Sequence, residues 1–221
     1  MKKYIILLFI LGFSSIAVGQ TTDTQLWTGP VLKYNINNKF RLDFEQQLRF
    51  NENISNYDFT FSELAFRYKV FKYLNLKALY RYSFIPAGES VTANGENDAS
   101  RVSIDASTGT EIFKTGINVG YRLMYQDSWD NTTMIGKHYV RTRFDISYNL
   151  CKLVDPYADW ESYFRFDGKN QWRQHRYTFG LNWRVTKKID IDSYFRYQKE
   201  INVNHPEMLY IWGLALVYSI N

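Results

Sequence analysis

The sequence predicts an all-β protein: an antiparallel up-and-down transmembrane β-barrel of about twelve strands, with ten as the alternative count. Three observations carry this expectation. Period-two alternation runs along nearly the whole chain, the links between alternating segments are short and long in turn, and the N-terminus has the form of an export leader.

The leader comes first. Lys2 and Lys3 precede an apolar run from Tyr4 to Phe13, and Ala17-Val18-Gly19 supplies small residues at the minus-three and minus-one positions. The run is shorter than the ~20 residues of a spanning helix. Residues 1–19 are therefore expected to be a signal peptide cleaved before Gln20, leaving 20–221 as a single barrel domain. Gly19 is not a cysteine, so nothing points to a lipoprotein.

After Gln20, alternating segments fall at residues 24–36, 39–50, 58–70, 73–85, 99–110, 114–126, 137–149, 155–166, 173–185, 189–198 and 208–220. Most exceed the usual globular strand and match the ~9 to 11 residues of a tilted membrane strand. Tight links are expected at Asn37-Asn38, 70–73, 110–114, 150–154 and 186–188. Longer polar links are expected at 51–57, 86–98, 127–136, 167–172 and 199–207. Such alternation suits a barrel with short periplasmic turns and longer outer loops, and not a Greek-key sandwich. Eleven segments can be traced; even strand numbers in single-chain bacterial barrels favour twelve.

Alternation also sorts the side chains. In "VRTRFDISY", Val140, Phe144, Ile146 and Tyr148 share one face, and Arg141, Arg143, Asp145 and Ser147 the other. The bulky apolar face continues through Leu42 and Phe44, Leu64 and Phe66, Leu76 and Tyr80, Phe179 and Leu181, and Trp212 to Leu216. Gly29, Ser103, Gly120, Gly180 and Gly213 lie with the charges. Small and charged residues fit the crowded inside of a barrel, and large aromatic ones the outside. Trp27, Tyr34, Tyr73, Tyr82, Tyr125, Tyr148, Trp183, Tyr197 and Tyr218 lie near segment ends, as interfacial girdles require. The closing "LYIWGLALVYSIN" resembles an outer-membrane targeting strand, although Asn221 replaces the customary terminal aromatic residue.

The frames "LWTGPVLKYNINNKFRLDFEQQLRF", "YLNLKALYRYSF" and "FRYQKEINVNHPEMLYIWGLALVY" resemble a domain-of-unknown-function family of exported barrel proteins, chiefly from Bacteroidota. The resemblance implies an outer-membrane β-barrel. It implies no activity and contributes no site residues.

The conspicuous chemistry is the inner face. The candidate lumen cluster comprises Arg41, Asp43, Glu45, Arg49, Arg101, Asp105, Arg141, Arg143, Asp145, Asp159, Glu161, Arg165, Arg176, Arg184, Asp190, Asp192 and Arg196. Opposite charges at neighbouring heights can pair across strands, and arginine can fork to a carboxylate. A structural role or a narrow pore for small solutes in the outer membrane of a Gram-negative cell is the leading expectation. A membrane-embedded lipid hydrolase or acyltransferase and a soluble exported barrel holding a lipophilic ligand are the alternatives.

Ser128, Ser162 and Ser193 could in principle meet His138, His175 or His205, but no G-x-S-x-G or other serine–histidine motif is present. No catalytic residue, cofactor or metal site is expected, since no spaced ligand pair appears. The loop from Ala87 to Ser100 carries Glu89, Glu96 and Asp98 without the ligand order of an EF-hand, so a solvated loop is expected. Removing Lys2 and Lys3 takes 27 basic side chains to 25 against 22 acidic ones, with no basic run, so nucleic acid is not an expected partner. Lipid and small solutes are the expected partners, and protein partners are not specified. The single cysteine, Cys151, excludes an intramolecular disulfide.

Overall fold

A computed structural model describes residues 21–84, 100–130, 135–168 and 170–220. The leader, residues 85–99 with the acidic loop positions, and Asn221 lie outside the described residues. The described chain forms eleven strands: β1 (Thr21–Asn35), β2 (Phe40–Asn51), β3 (Asn56–Phe71), β4 (Leu74–Phe84), β5 (Ser100–Glu111), β6 (Ile117–Trp129), β7 (Gly136–Tyr148), β8 (Val154–Arg165), β9 (Gln171–Arg184), β10 (Ile189–Glu200) and β11 (Glu207–Ile220). Each strand pairs antiparallel with its neighbours in sequence, and the sheet closes between β1 and β11.

Eleven is the number of segments traced in the sequence, not the twelve that parity favours. Parity assumes that every neighbouring pair is antiparallel. Here the closing pair is parallel, in continuous register from Thr21↔Glu207 to Tyr34↔Ile220. Thr21 and Ile220 consequently lie at opposite ends of the barrel. One end carries the links at 36–39, 72–73, 112–116, 149–153 and 185–188. The other, the loop end, carries 52–55 and 201–206, and there β4, β6 and β8 end and β5, β7 and β9 begin.

Two local differences from the sequence reading have backbone causes. Phe113, Lys114 and Gly116 adopt φ of 45°, 58° and 79°, so the expected strand start at Lys114 is a left-handed turn. Thr115 N–H donates to the Ile112 carbonyl at 2.9 Å within it, and β6 begins three residues later. At the loop end, Glu52, Asn53 and Ile54 also adopt positive φ, and β2 and β3 run almost to the tip. The expected long link there is therefore a four-residue turn.

The faces divide by parity. Phe144 and Leu216 are 52% and 51% exposed, whereas Arg141 is 8% exposed. Tyr34, Tyr73, Tyr82, Tyr125, Tyr148, Trp183 and Tyr218 are exposed on the outside. Trp27 departs from that group. It is 3% exposed and points inward, because its register pairs it with Arg49 and Gly213, both on the inner face.

Inward glycines make room for tyrosine rings on adjacent strands. A Cβ on Gly213 would lie 2.0 Å from the ring of Tyr194, and one on Gly180 would lie 2.3 Å from the ring of Tyr157. Gly213→Ala should lower folding stability by ~1–3 kcal/mol, the usual range for overpacking. The midpoint at which the compact band unfolds on heated detergent gels measures this. Adding Tyr194→Ala should remove the clash but not the loss of ring packing.

Candidate functional site

The barrel interior is ionic, and its character changes along the axis. Toward the loop end, alternating inward residues of β3 place Phe59 and Phe61 at 0% exposure, and Arg49 of β2 pairs across to Phe59. Arg49 lies 3.5 Å from the Trp27 ring centroid and 4.9 Å from that of Phe59. Arg81 lies 3.5 Å over Phe61, and Arg141 lies 4.1 Å over Tyr163. Guanidiniums stacked on aromatic faces gain cation–π attraction where water is excluded. This arginine–aromatic layer fills the loop half of the lumen.

Beside it, Glu161 gathers three arginines. Arg141 donates to both carboxylate oxygens at 2.9 Å, Arg122 Nη2 bonds Oε1, and Arg176 Nη1 stands 3.8 Å from Oε2. The Tyr163 hydroxyl also donates to Oε2, at 3.3 Å. Neutral acceptors take two further donors: Arg141 Nη1 donates to Gln126 Oε1 and Arg176 Nε to Gln198 Oε1, each at 2.7 Å. These bonds offset most of the cost of burying the cluster's charges, while the buried Arg122 Nε has no hydrogen-bond partner. Arg81 forks onto Glu63 Oε2 at 2.9 and 2.7 Å, and Lys77 stands 3.3 Å from Asp105 across β4 and β5.

Toward the turn end the interior opens. Arg41 and Arg67 flank Asp43, Arg143 stands 3.5 Å from Asp145, and Arg184 bonds Asp155, with the arginines a third or more exposed. Tyr157 donates to Asp192 at 2.8 Å. Between the two regions lies a cavity of about 230 Å³, lined by Trp27, Phe61, Tyr194, eight arginines, Lys77, Glu45, Glu63 and Glu161, among others. A turn-end hollow of about 680 Å³ adjoins it at Arg143, and a third of about 240 Å³ shares Asn75 and Ser107 with the hollow.

The candidate residues thus separate by height. Arg49, Arg101, Asp105, Arg141, Glu161 and Arg176 are buried in the loop half and middle. Glu45, Arg143 and Arg196 border the central cavity. Arg41, Asp43, Asp145, Arg184 and Asp190 lie toward the turn end, with Asp159 and Asp192 on the stretches of β8 and β10 that lead to it. Arg165 is apart, bonding Asp167 at 2.6 Å beyond the loop-end tip of β8. Glu63, Arg67, Lys77, Arg81 and Arg122 belong to the same interior and were not among the candidates. So do Trp27, Phe61 and Tyr163. Parity was the available signal: Phe61 shares it with Glu63, and Tyr163 with Glu161.

The outer face carries two separate pairs. Ser162 Oγ lies 2.8 Å from His175 Nδ1, and Ser162 is 1% exposed. His138 Nδ1 lies 3.1 Å from Asp127. Each pair lacks the third member of a triad among its contacts. Ser128 donates to the Lys137 carbonyl and Ser193 accepts from Trp183 Nε1. Among the described residues no group of His, Cys, Asp and Glu is placed to hold a metal ion.

A ladder closed by one parallel seam and otherwise antiparallel, apolar outside and ionic inside, defines the class of up-and-down β-barrels. Residues 24–208 match the model of DUF2490, a protein family of unknown function, and the chain belongs to that family. The NanC porin, solved in a rhombohedral crystal form, shares the fold at 13% identity with a TM-score of 0.50, over 77% of this chain and 78% of that one. A chain from a structure titled for the in-meso crystallization of membrane proteins aligns at 11% identity, over 84% of this chain and 78% of that one, with a TM-score of 0.37. No curated protein matches the chain.

Glu161→Gln should destabilise the barrel by ~3–5 kcal/mol, because three buried guanidiniums lose their carboxylate. Asp145→Asn, at a partly exposed pair, should cost ~1 kcal/mol or less. Urea unfolding followed by tryptophan fluorescence separates the two.

Proposed function

We propose that this chain is an outer-membrane β-barrel whose interior forms a narrow pathway for small solutes, wide at the turn end and constricted in the loop half. The observation that carries the reading is the gradient of exposure along one lumen. Arginines at the turn end are a third or more exposed, while Arg49, Phe61 and Tyr163 in the loop half are almost fully enclosed. A barrel of this strand number lies between filled eight-stranded and open sixteen-stranded cases. The constriction consists of side chains, which move more readily than strands.

The same enclosure supports a second reading, a purely structural barrel whose ionic interior is sealed. The alternatives gain less. A lipophilic ligand has no match in an interior lined by guanidiniums and carboxylates. A hydrolase would need Ser162–His175 to have an acid and an accessible hydroxyl, which its contacts do not supply.

Conductance in planar bilayers decides between pathway and sealed barrel. Wild-type protein should pass small, flickering currents, and Trp27→Ala with Phe61→Ala should raise them severalfold. Absence of current from both would leave the structural reading. Orientation has its own probe: Cys151 is exposed at the turn end. A membrane-impermeant maleimide should spare it in intact cells and label it after the outer membrane is permeabilised. A cysteine introduced at Asn202, at the loop end, should label in intact cells.

A further inference from the structure

We infer that the central cavity is a binding site for a small oxyanion of carboxylate or phosphate type, an inference that rests on the pathway reading and names its solute class. The cavity wall holds eight arginines and a lysine against three glutamates, so cations outnumber acids threefold. The acids are already engaged. Glu63 holds Arg81, Glu161 holds Arg141 and Arg122, and Glu45 stands directly across the ladder from Glu63 and accepts from Gln47 at 3.1 Å. Asp105 and Asp145, outside the wall, reach Lys77 and Arg143, and the nine cations still outnumber the carboxylates that reach them.

Two donors in the wall strengthen the case. Arg122 spends Nη2 on Glu161, and its buried Nε has no hydrogen-bond partner. Ser103, 1% exposed, likewise has an unpartnered hydroxyl. Both line the cavity. Buried donors without acceptors are costly, and a charged donor most of all. An anion's oxygens supply acceptors and compensating charge together, and the guanidinium fork matches a carboxylate or phosphate edge. At about 230 Å³ the cavity is smaller than the ~300–1,000 Å³ of ordinary ligand pockets, so its occupant has few heavy atoms. The turn-end hollow, bordering the cavity at Arg143, provides the approach.

Calorimetric titration of the full barrel, folded in zwitterionic detergent, with sodium phosphate and in parallel with sodium acetate tests this, against a sodium chloride blank. Saturable binding of either is expected, weakening as ionic strength rises. The acetate and phosphate arms tell the two anion types apart. Arg122→Gln should reduce affinity at least tenfold. Ser103→Ala, which removes a single hydroxyl and leaves the ion pairs intact, should reduce it a few-fold. No saturable binding of either anion, or binding unchanged in both variants, overturns the inference. Bilayer currents separate it from the pathway reading: phosphate binding without conductance upholds the site and removes the pathway, whereas conductance without phosphate or acetate binding does the reverse.

Discussion

Closure of the backbone ladder is the constraint on which the rest depends. An open sheet leaves the backbone groups of its edge strands unpaired, and closure gives every strand a partner on both sides. The parallel β1–β11 seam supplies the last pair and fixes the strand number at eleven. Once the sheet is a cylinder, strict alternation assigns each residue to the outer face or the lumen. A shift of one residue would bring Arg141 and Arg143 to the outside and Phe144 to the inside.

Closure in turn forces the interior to solve an electrostatic problem. Cross-strand register places like charges face to face at Arg41↔Arg67, Glu45↔Glu63, Arg81↔Arg101 and Arg122↔Arg143. Directly opposed like charges repel, and the chain answers with diagonal partners: Asp43 lies between Arg41 and Arg67, and Glu161 bonds Arg122 as well as Arg141. Arginine suits this work better than lysine because its planar fork serves a carboxylate on one edge while its face stacks on Trp27, Phe61 or Tyr163.

Much of this was legible in the sequence because period-two alternation is local. All eleven strand starts lie within three residues of their alternating segments without knowledge of any partner, that of β6 shifted by the left-handed turn at Phe113–Gly116. What alternation cannot supply is which strands meet at the seam. The parallel closure depends on contacts between residues nearly two hundred positions apart. Trp27 shows a second limit: nearness to a strand end suggested an interfacial anchor, but register against Arg49 and Gly213 turned it inward. The charged cluster was legible as a set and not as a gradient. Height in the lumen depends on the stagger of all eleven strands, so the burial of Arg101 and the exposure of Arg184 could not be ranked from sequence.

The gradient follows from where volume is spent. In the loop half, inward positions carry Trp27, Phe59, Phe61, Tyr139, Tyr163 and Ile211, all nearly inaccessible. In the turn half, the corresponding positions include Gly109, Gly120, Ser107 and Ser147, which leave the hollow beside Arg143. A cylinder of constant strand number has roughly constant bore, so side-chain size alone decides where it is shut. This chain therefore narrows its own lumen without a plug domain or an inserted loop among the described residues. The rings that narrow it are held by arginines, whose charge also fills the chamber beneath, so constriction and electrostatic character are set by the same side chains. Changing either one changes the other.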